Sequence, residues 1–158
     1  GHFWHGVWVH QNNYRQNHQS LFPLDLKFAE LNKKYPSKFF LAGGSNDESL
    51  IKQVMESSIK KNCISFSKMS IGETIPIISG CQYYVGNDTG WGHISSGLGL
   101  KSLFLFMDSP PAAYGVYSKN ISIVVPDGET IESCGHKTLG KNKIPVDKVF
   151  NEALKLVN

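Results

Sequence analysis

The sequence predicts an α/β fold: a Rossmann-like three-layer structure with a parallel sheet and helices on both faces. Three observations carry the prediction. Apolar runs of strand length alternate along the chain with segments of helical periodicity, the pattern of successive βαβ units. The segment Ser102 to Met107 is apolar almost without a break, as a strand is when both faces of its sheet are covered. No internal repeat, coiled-coil heptad or low-complexity tract competes with this reading, and right-handed crossovers between parallel strands give the layered form.

The elements follow in chain order. Phe3 to His10 is a short apolar run, strongest at Val7-Trp8-Val9, and reads as the first strand. Gln11 to Ser20 is polar and rich in Asn, Gln and His, hence loop. Pro23 opens a helix in which Leu24, Phe28, Leu31 and Tyr35 recur at helical spacing, and Pro36 ends it. Phe39 to Ala42 is a buried strand closed by Gly43-Gly44. Asn46 or Asp47 caps the next helix, whose apolar stripe is Leu50, Ile51, Val54, Met55 and Ile59. Cys63 to Phe66 is a strand, and Ile71 to Gly80 a short helix disturbed by Pro76. Gln82 to Gly86, Ser102 to Met107 and Ile121 to Val125 are strands, with a helix from Trp91 to Leu98 between the first two. Thr130 to Lys143 is polar, Gly-bearing loop; Pro145 to Val157 is a closing amphipathic helix with Val146, Val149, Phe150, Leu154 and Val157 inward.

Length and charge narrow the function classes. The 158 residues fit one domain, large enough to bury roughly 68–70% of its unfolded surface without disulfides or metal. Residues 1–2, Gly-His, read as a vector-derived remnant, residues 3–158 as a single domain, and no signal peptide is evident. Net charge is +3 with no basic block, which argues against a nucleic-acid partner. No apolar run reaches transmembrane length. Cys63, Cys81 and Cys134 make no disulfide framework, so a reducing, cytoplasmic setting is the simplest expectation. Enzymes that join two substrates across a cleft often use about twice this much chain.

The chemistry concentrates in Tyr84 to Gly99. A strand ends near Val85, a tight loop follows, and a helix begins between Thr89 and Trp91. In open parallel sheets ligands sit outside the carboxyl ends of the strands, where a helix start offers free N–H groups and a positive dipole end to a phosphate. Gly90 and Gly92 leave room for a diphosphate, Thr89 offers a hydroxyl, and His93 lies one turn in. The same residues read equally as a helix cap, Asp88 or Thr89, with His93 as a buried structural histidine. The loop is neither G-x-G-x-x-G nor a P-loop.

At this point a family resemblance enters. The string Val85-Gly86-Asn87-Asp88-Thr89-Gly90, then His93, then Leu98-Gly99-Leu100-Lys101 and Leu103-Phe104-Leu105-Phe106, resembles the C-terminal domain of glycosyltransferase family 9, the lipopolysaccharide heptosyltransferases, with their D-[ST]-G-x-x-H helix start. Val7-Trp8-Val9-His10, Phe22-Pro23 with Phe28-Ala29-Glu30-Leu31, Leu41-Ala42-Gly43-Gly44 with Glu48, and Ile144 to Val157 resemble further segments of that domain. The resemblance implies one half of a GT-B fold that binds a nucleotide-diphosphate sugar of the ADP-heptose kind, with no bound cofactor or metal. It implies that Asp88, Thr89, Gly90 and His93 contact the diphosphate and sugar, and that Glu48 contacts the ribose. Residues 11–20 match the loop that reaches the phosphates. It also implies a glycan or lipid-linked acceptor held by an N-terminal domain with no counterpart in this chain, and work at a membrane surface.

Two departures stand beside the resemblance. Where the family often has a Lys three positions before the W-P proline, this chain has Ser20; Arg15 or His18 offers positive charge nearby, though at other positions. The family's catalytic carboxylate lies in the N-terminal half, so no base is placed here. His10 ends a strand on the ligand side and is a further phosphate or sugar candidate. Asp108-Ser109-Pro110-Pro111 forms another ligand-side loop, while Cys134-Gly135-His136 lacks the second pair that zinc requires. Lys137, Lys141 and Lys143 read as a solvated face or a contact for anionic headgroups. Trp4, Trp8 and Phe3 read as core or as a vacated domain interface able to self-associate. Two other functions stay open: a non-catalytic interaction module, and another GT-B enzyme such as a nucleotide-sugar epimerase.

Overall fold

A computed structural model describes residues 4–9, 30, 32–43, 47–56, 60–138 and 144–157. Its strands are β1 (Trp4–Val9), β2 (Ser37–Ala42), β3 (Cys63–Ser65), β4 (Tyr83–Asn87), β5 (Lys101–Leu105) and β6 (Ile121–Val124). Between them run α1 (Glu48–Met55), α2 (Ile71–Ser79), α3 (Gly90–Gly97) and the single turn α4 (Pro111–Tyr114), and α5 (Val146–Val157) closes the chain. All five strand pairings are parallel, in the order β3-β2-β1-β4-β5-β6. This is the doubly wound order of Rossmann-like sheets.

Strand alternation divides the core in two. Val85, Leu103 and Leu105 point to one face, against Ile51 of α1 and Val149, Ala153 and Leu156 of α5. Tyr84, Phe104 and Phe106 point to the other, against Ile78 of α2 and Trp91 and Ile94 of α3. The near-continuous apolar run of β5 is explained by this arrangement, since both faces are covered. The predicted three-layer class is the observed one.

Local chemistry sets the helix ends. Ser70 caps α2 in extended conformation, its hydroxyl accepting from the Glu73 N–H at 3.2 Å. Pro76 sits inside α2 without ending it; Gly72 and Pro76 are both exposed, so the carbonyl that Pro76 leaves unpaired lies on the solvent side. Beyond α3, Gly99 takes φ +90°, and the N–H groups of Gly99 and Leu100 return to the carbonyls of Ser96 and Ser95 at 3.0 Å each. That double closure is a Schellman stop, which needs the left-handed residue glycine supplies.

Several expectations shift. β5 ends at Leu105, although Phe106 N–H still pairs with Val124 O at 3.0 Å. β4 runs one residue further than expected, through Asn87. α1 ends at Met55, and residues 57–59 lie outside the described part. Pro111, expected within a ligand-side loop, instead starts α4, because Pro suits the first helical position. The polar stretch from Thr130 holds one 3-10 turn, His136–Thr138. Of the helix expected after Pro23, Glu30 and residues 32–35 are described; Glu30 and residues 32–34 are helical, and Tyr35 is already a bend. Cys63, Cys81 and Cys134 are all buried.

Candidate active site

The chain leaves β1 toward β2 and β3 on one side, then returns to place β4, β5 and β6 on the other. The crevice where direction reverses therefore lies between the carboxyl ends of β1 and β4, the position at which such sheets bind ligands. Asp88-Thr89 follows β4 there, and α3 starts at once with Gly90.

Neither capping alternative is what the structure adopts. Thr89 occupies the cap position in extended conformation but makes no side-chain cap bond. Its hydroxyl lies 3.2 Å from that of Tyr84, which donates its proton to the Asn87 carbonyl at 2.7 Å. With the Tyr84 proton given to Asn87, the Thr89 hydroxyl is the donor in this contact and is turned toward Tyr84. Asp88 is turned to other partners. What faces the crevice is the backbone start of α3, whose first N–H groups have no acceptor within the helix. The first intrahelical bond runs from His93 N–H to Thr89 O at 3.1 Å.

Gly90 and Gly92, given one task by sequence, have two. A methyl at Gly90 would meet nothing within 4 Å, so this is an open approach to the helix start. A methyl at Gly92 would stand 2.9–3.0 Å from the rings of Phe104 and Tyr84. Gly92 lets α3 lie close on the sheet, and its role is packing rather than ligand access. Trp91 fixes the same helix from outside, its indole N–H donating to Thr74 Oγ1 of α2 at 3.3 Å.

Asp88 and His93 form the polar centre. Asp88 Oδ1 is 2.7 Å from His93 Nε2, and Asp88 Oδ2 accepts from Ser109 Oγ at 3.1 Å. The other ring nitrogen, Nδ1, is 2.5 Å from the Tyr117 hydroxyl. The imidazole stands edge-on to Phe104, with centroids 5.3 Å apart, and stacks at 5.7 Å on Tyr117. Partial burial raises the Tyr117 pKa above its ordinary value; the nearby Ser96 hydroxyl works against the rise, and the charge of Asp88 adds to it. Burial pushes Tyr84 up in the same way and far more strongly. Beside them Asn87 is buried, and its amide nitrogen has no partner among the described residues.

Glu48 begins α1 on the β2 side and is exposed, free to meet a ligand from the same edge of the sheet. Arg15, His10, His18 and Ser20 lie outside the described residues. Ser109 joins the site through Asp88. Tyr117, 24 residues from His93, carried no local signal and was missed in the sequence. Cys134 Sγ lies 3.6 Å from the Phe106 carbonyl, its thiol pKa raised first by burial. No group of three His, Cys, Asp or Glu is placed to hold a metal among the described residues. Nor is any described helix long and apolar enough to cross a membrane.

Residues 24–143 match the sequence profile of glycosyltransferase family 9 (heptosyltransferase). The chain belongs to this family. No curated protein matches it in sequence. Among solved structures it is similar to E. coli heptosyltransferase WaaC with ADP, at TM-score 0.74 and 17% identity over 98% of this chain and 44% of that one. E. coli ADP-heptose lps heptosyltransferase II gives TM-score 0.72 and 14% identity over 98% and 46%. E. coli WaaC with ADP-2-deoxy-2-fluoro heptose gives 0.70 and 16% over 97% and 43%. These likenesses are of fold, and this family 9 chain spans less than half the length of each.

Proposed function

We propose that this domain, residues 3–158, is the donor-binding half of a heptosyltransferase-like enzyme, and that it binds a nucleotide-diphosphate sugar of the ADP-heptose class. The observation that carries the reading is the open, uncapped start of α3 at the sheet's switch point, reached over Gly90. Family membership supports it, as do the similar structures of E. coli heptosyltransferase WaaC with ADP and with ADP-2-deoxy-2-fluoro heptose.

The chemistry suits the place. Sugar transfer breaks the bond between the anomeric carbon and the diphosphate, and negative charge grows on the departing phosphate. Preorganised N–H groups at a helix start stabilise that charge most where water is excluded. Asp88 and His93 hold the turn that presents them, and Glu48 takes the ribose. A base must also accept the proton of the acceptor hydroxyl; the reading assigns that base and the glycan or lipid-linked acceptor to a second domain. Peripheral contact with a membrane then brings a lipid-linked acceptor to the cleft.

Titration calorimetry with ADP, UDP and GDP sugars tests the reading. The expected result is saturable binding that prefers the ADP sugar and is lost in Gly90→Val. A folded protein that binds none of them overturns the donor site and favours an interaction module.

A further inference from the structure

The donor-site motif accounts for Asp88 and His93 but not for Ser109 and Tyr117, which extend the pair into a hydrogen-bonded chain: Ser109 Oγ to Asp88 Oδ2, Asp88 Oδ1 to His93 Nε2, His93 Nδ1 to Tyr117 Oη. Both imidazole nitrogens are therefore occupied by protein groups. The outer end of the chain is the hydroxyl of Tyr117, a residue 58% exposed. His93 belongs to α3, whose start is the proposed diphosphate position, and Tyr117 reaches that helix through the His93 ring.

We propose that Tyr117 is the ligand-facing member of this chain, and that a diphosphate binds with uptake of a proton by His93. The proposal rests on the donor-site reading above. Its basis is the direction of the hydrogen bonds. Asp88, a carboxylate, can only accept, so Nε2 carries a hydrogen and the neutral ring offers Nδ1 as acceptor. Tyr117 must then donate inward to Nδ1, and its exposed hydroxyl shows only lone pairs outward. An anion there needs the opposite arrangement, with the hydroxyl hydrogen outward. That requires Nδ1 to donate to Tyr117 Oη, which it does only when the ring takes a proton from solvent. Tyr117 keeps its own proton throughout. The charged and titratable groups facing the ring favour the change: Asp88 from the β4–α3 loop pairs with the imidazolium, Tyr117 from the segment after α4 accepts from it, and Phe104 of β5 adds an uncharged edge. Asp108, next to Ser109, adds negative charge to the same edge of the sheet.

The test is calorimetric titration of the full-length protein with ADP at about pH 8. Buffers of different ionisation enthalpy are compared, so that the slope of apparent enthalpy counts protons. Uptake approaching about one proton is expected for the wild type, falling to near zero in Tyr117→Phe, with about a three- to tenfold loss of affinity. Equal uptake in both proteins overturns the coupling while leaving the donor site standing. No ADP binding to the wild type overturns the donor site and the coupling together. In the ligand-free protein, nitrogen NMR should show the His93 Nδ1 resonance move in Tyr117→Phe; an unmoved resonance overturns the hydrogen bond on which the proposal stands.

Discussion

Asp88 and His93 hold each other across the first turn of α3, Oδ1 2.7 Å from Nε2, and this pair fixes the turn at the switch point. Asp88 also anchors Ser109 from the next ligand-side loop, so one carboxylate ties the β4–α3 loop to the loop after β5. Asp88→Ala removes both bonds. Hydrogen bonds to charged groups are worth about 1.5–3 kcal/mol. The His93 side chain is 36% exposed, so solvent screening brings the expected loss toward about 1 kcal/mol. Urea unfolding measures it, and a variant as stable as the wild type would show that the turn does not depend on the pair.

The two glycines of α3 separate stability from binding. Gly92→Ala forces a methyl within 2.9–3.0 Å of Phe104 and Tyr84, and overpacking of this kind costs about 1–3 kcal/mol. Gly90→Ala meets no neighbour within 4 Å and should change stability by less than about 0.5 kcal/mol. Its methyl stands in the approach to the helix start, so nucleotide affinity should fall. Thermal unfolding and titration of the two variants should give opposite rankings.

Burial of Cys81 predicts a loss of stability in alkali. Its thiol is pushed up to about 11, while an unfolded thiol titrates near about 8.5. The folded state therefore holds its proton longer than the unfolded one. The contribution is complete below the unfolded value and disappears as pH rises through the folded one. The buried phenol of Tyr84 acts in the same direction. Unfolding midpoints should decline from about pH 8.5 upward, less steeply in Cys81→Ala. An unchanged slope in that variant would remove Cys81 as a cause.

Tyr84 predicts a loop effect. Its fully buried hydroxyl is the link between the Asn87 carbonyl and Thr89. Tyr84→Phe leaves both without that partner, which costs about 1–3 kcal/mol for a buried group. Because the two residues shape the start of α3, nucleotide affinity should fall with stability. Unfolding and titration on one sample test the link, and a loss of stability with full affinity would separate the hydroxyl from the site.

What sequence made legible was periodic or local. The unbroken apolar run of β5 follows from burial on two faces and the stripe of α5 from burial on one, so their residues announce them. The helix start at Asp88-Thr89-Gly90 is a contiguous string, and it could be read. Tyr117 could not, because its tie to His93 spans 24 residues and depends on how α4 returns to the sheet. The unequal roles of Gly90 and Gly92 were also hidden, since only packing shows which side of α3 meets Phe104. The contact of the Thr89 hydroxyl with Tyr84 was hidden for a related reason: the two share one strand-loop unit, but the bond depends on where the phenol lies.

Glu48 gives a prediction that separates nucleoside from phosphate recognition. It is exposed in the first turn of α1, where it contributes little to folding, so Glu48→Ala should alter stability by less than about 0.5 kcal/mol. If its carboxylate accepts from ribose hydroxyls, the variant loses one charge-assisted interaction, worth about 1.5–3 kcal/mol, or roughly a tenfold or greater loss of ADP affinity. Inorganic pyrophosphate carries the diphosphate without the ribose, so its affinity should not fall. A modest rise is expected, since a negative charge leaves the edge of an anion site. Parallel titrations with ADP and pyrophosphate decide the matter. Equal losses for both ligands would mean that Glu48 acts on the shape of the site rather than on the ribose, and no loss for ADP would remove it from the site altogether.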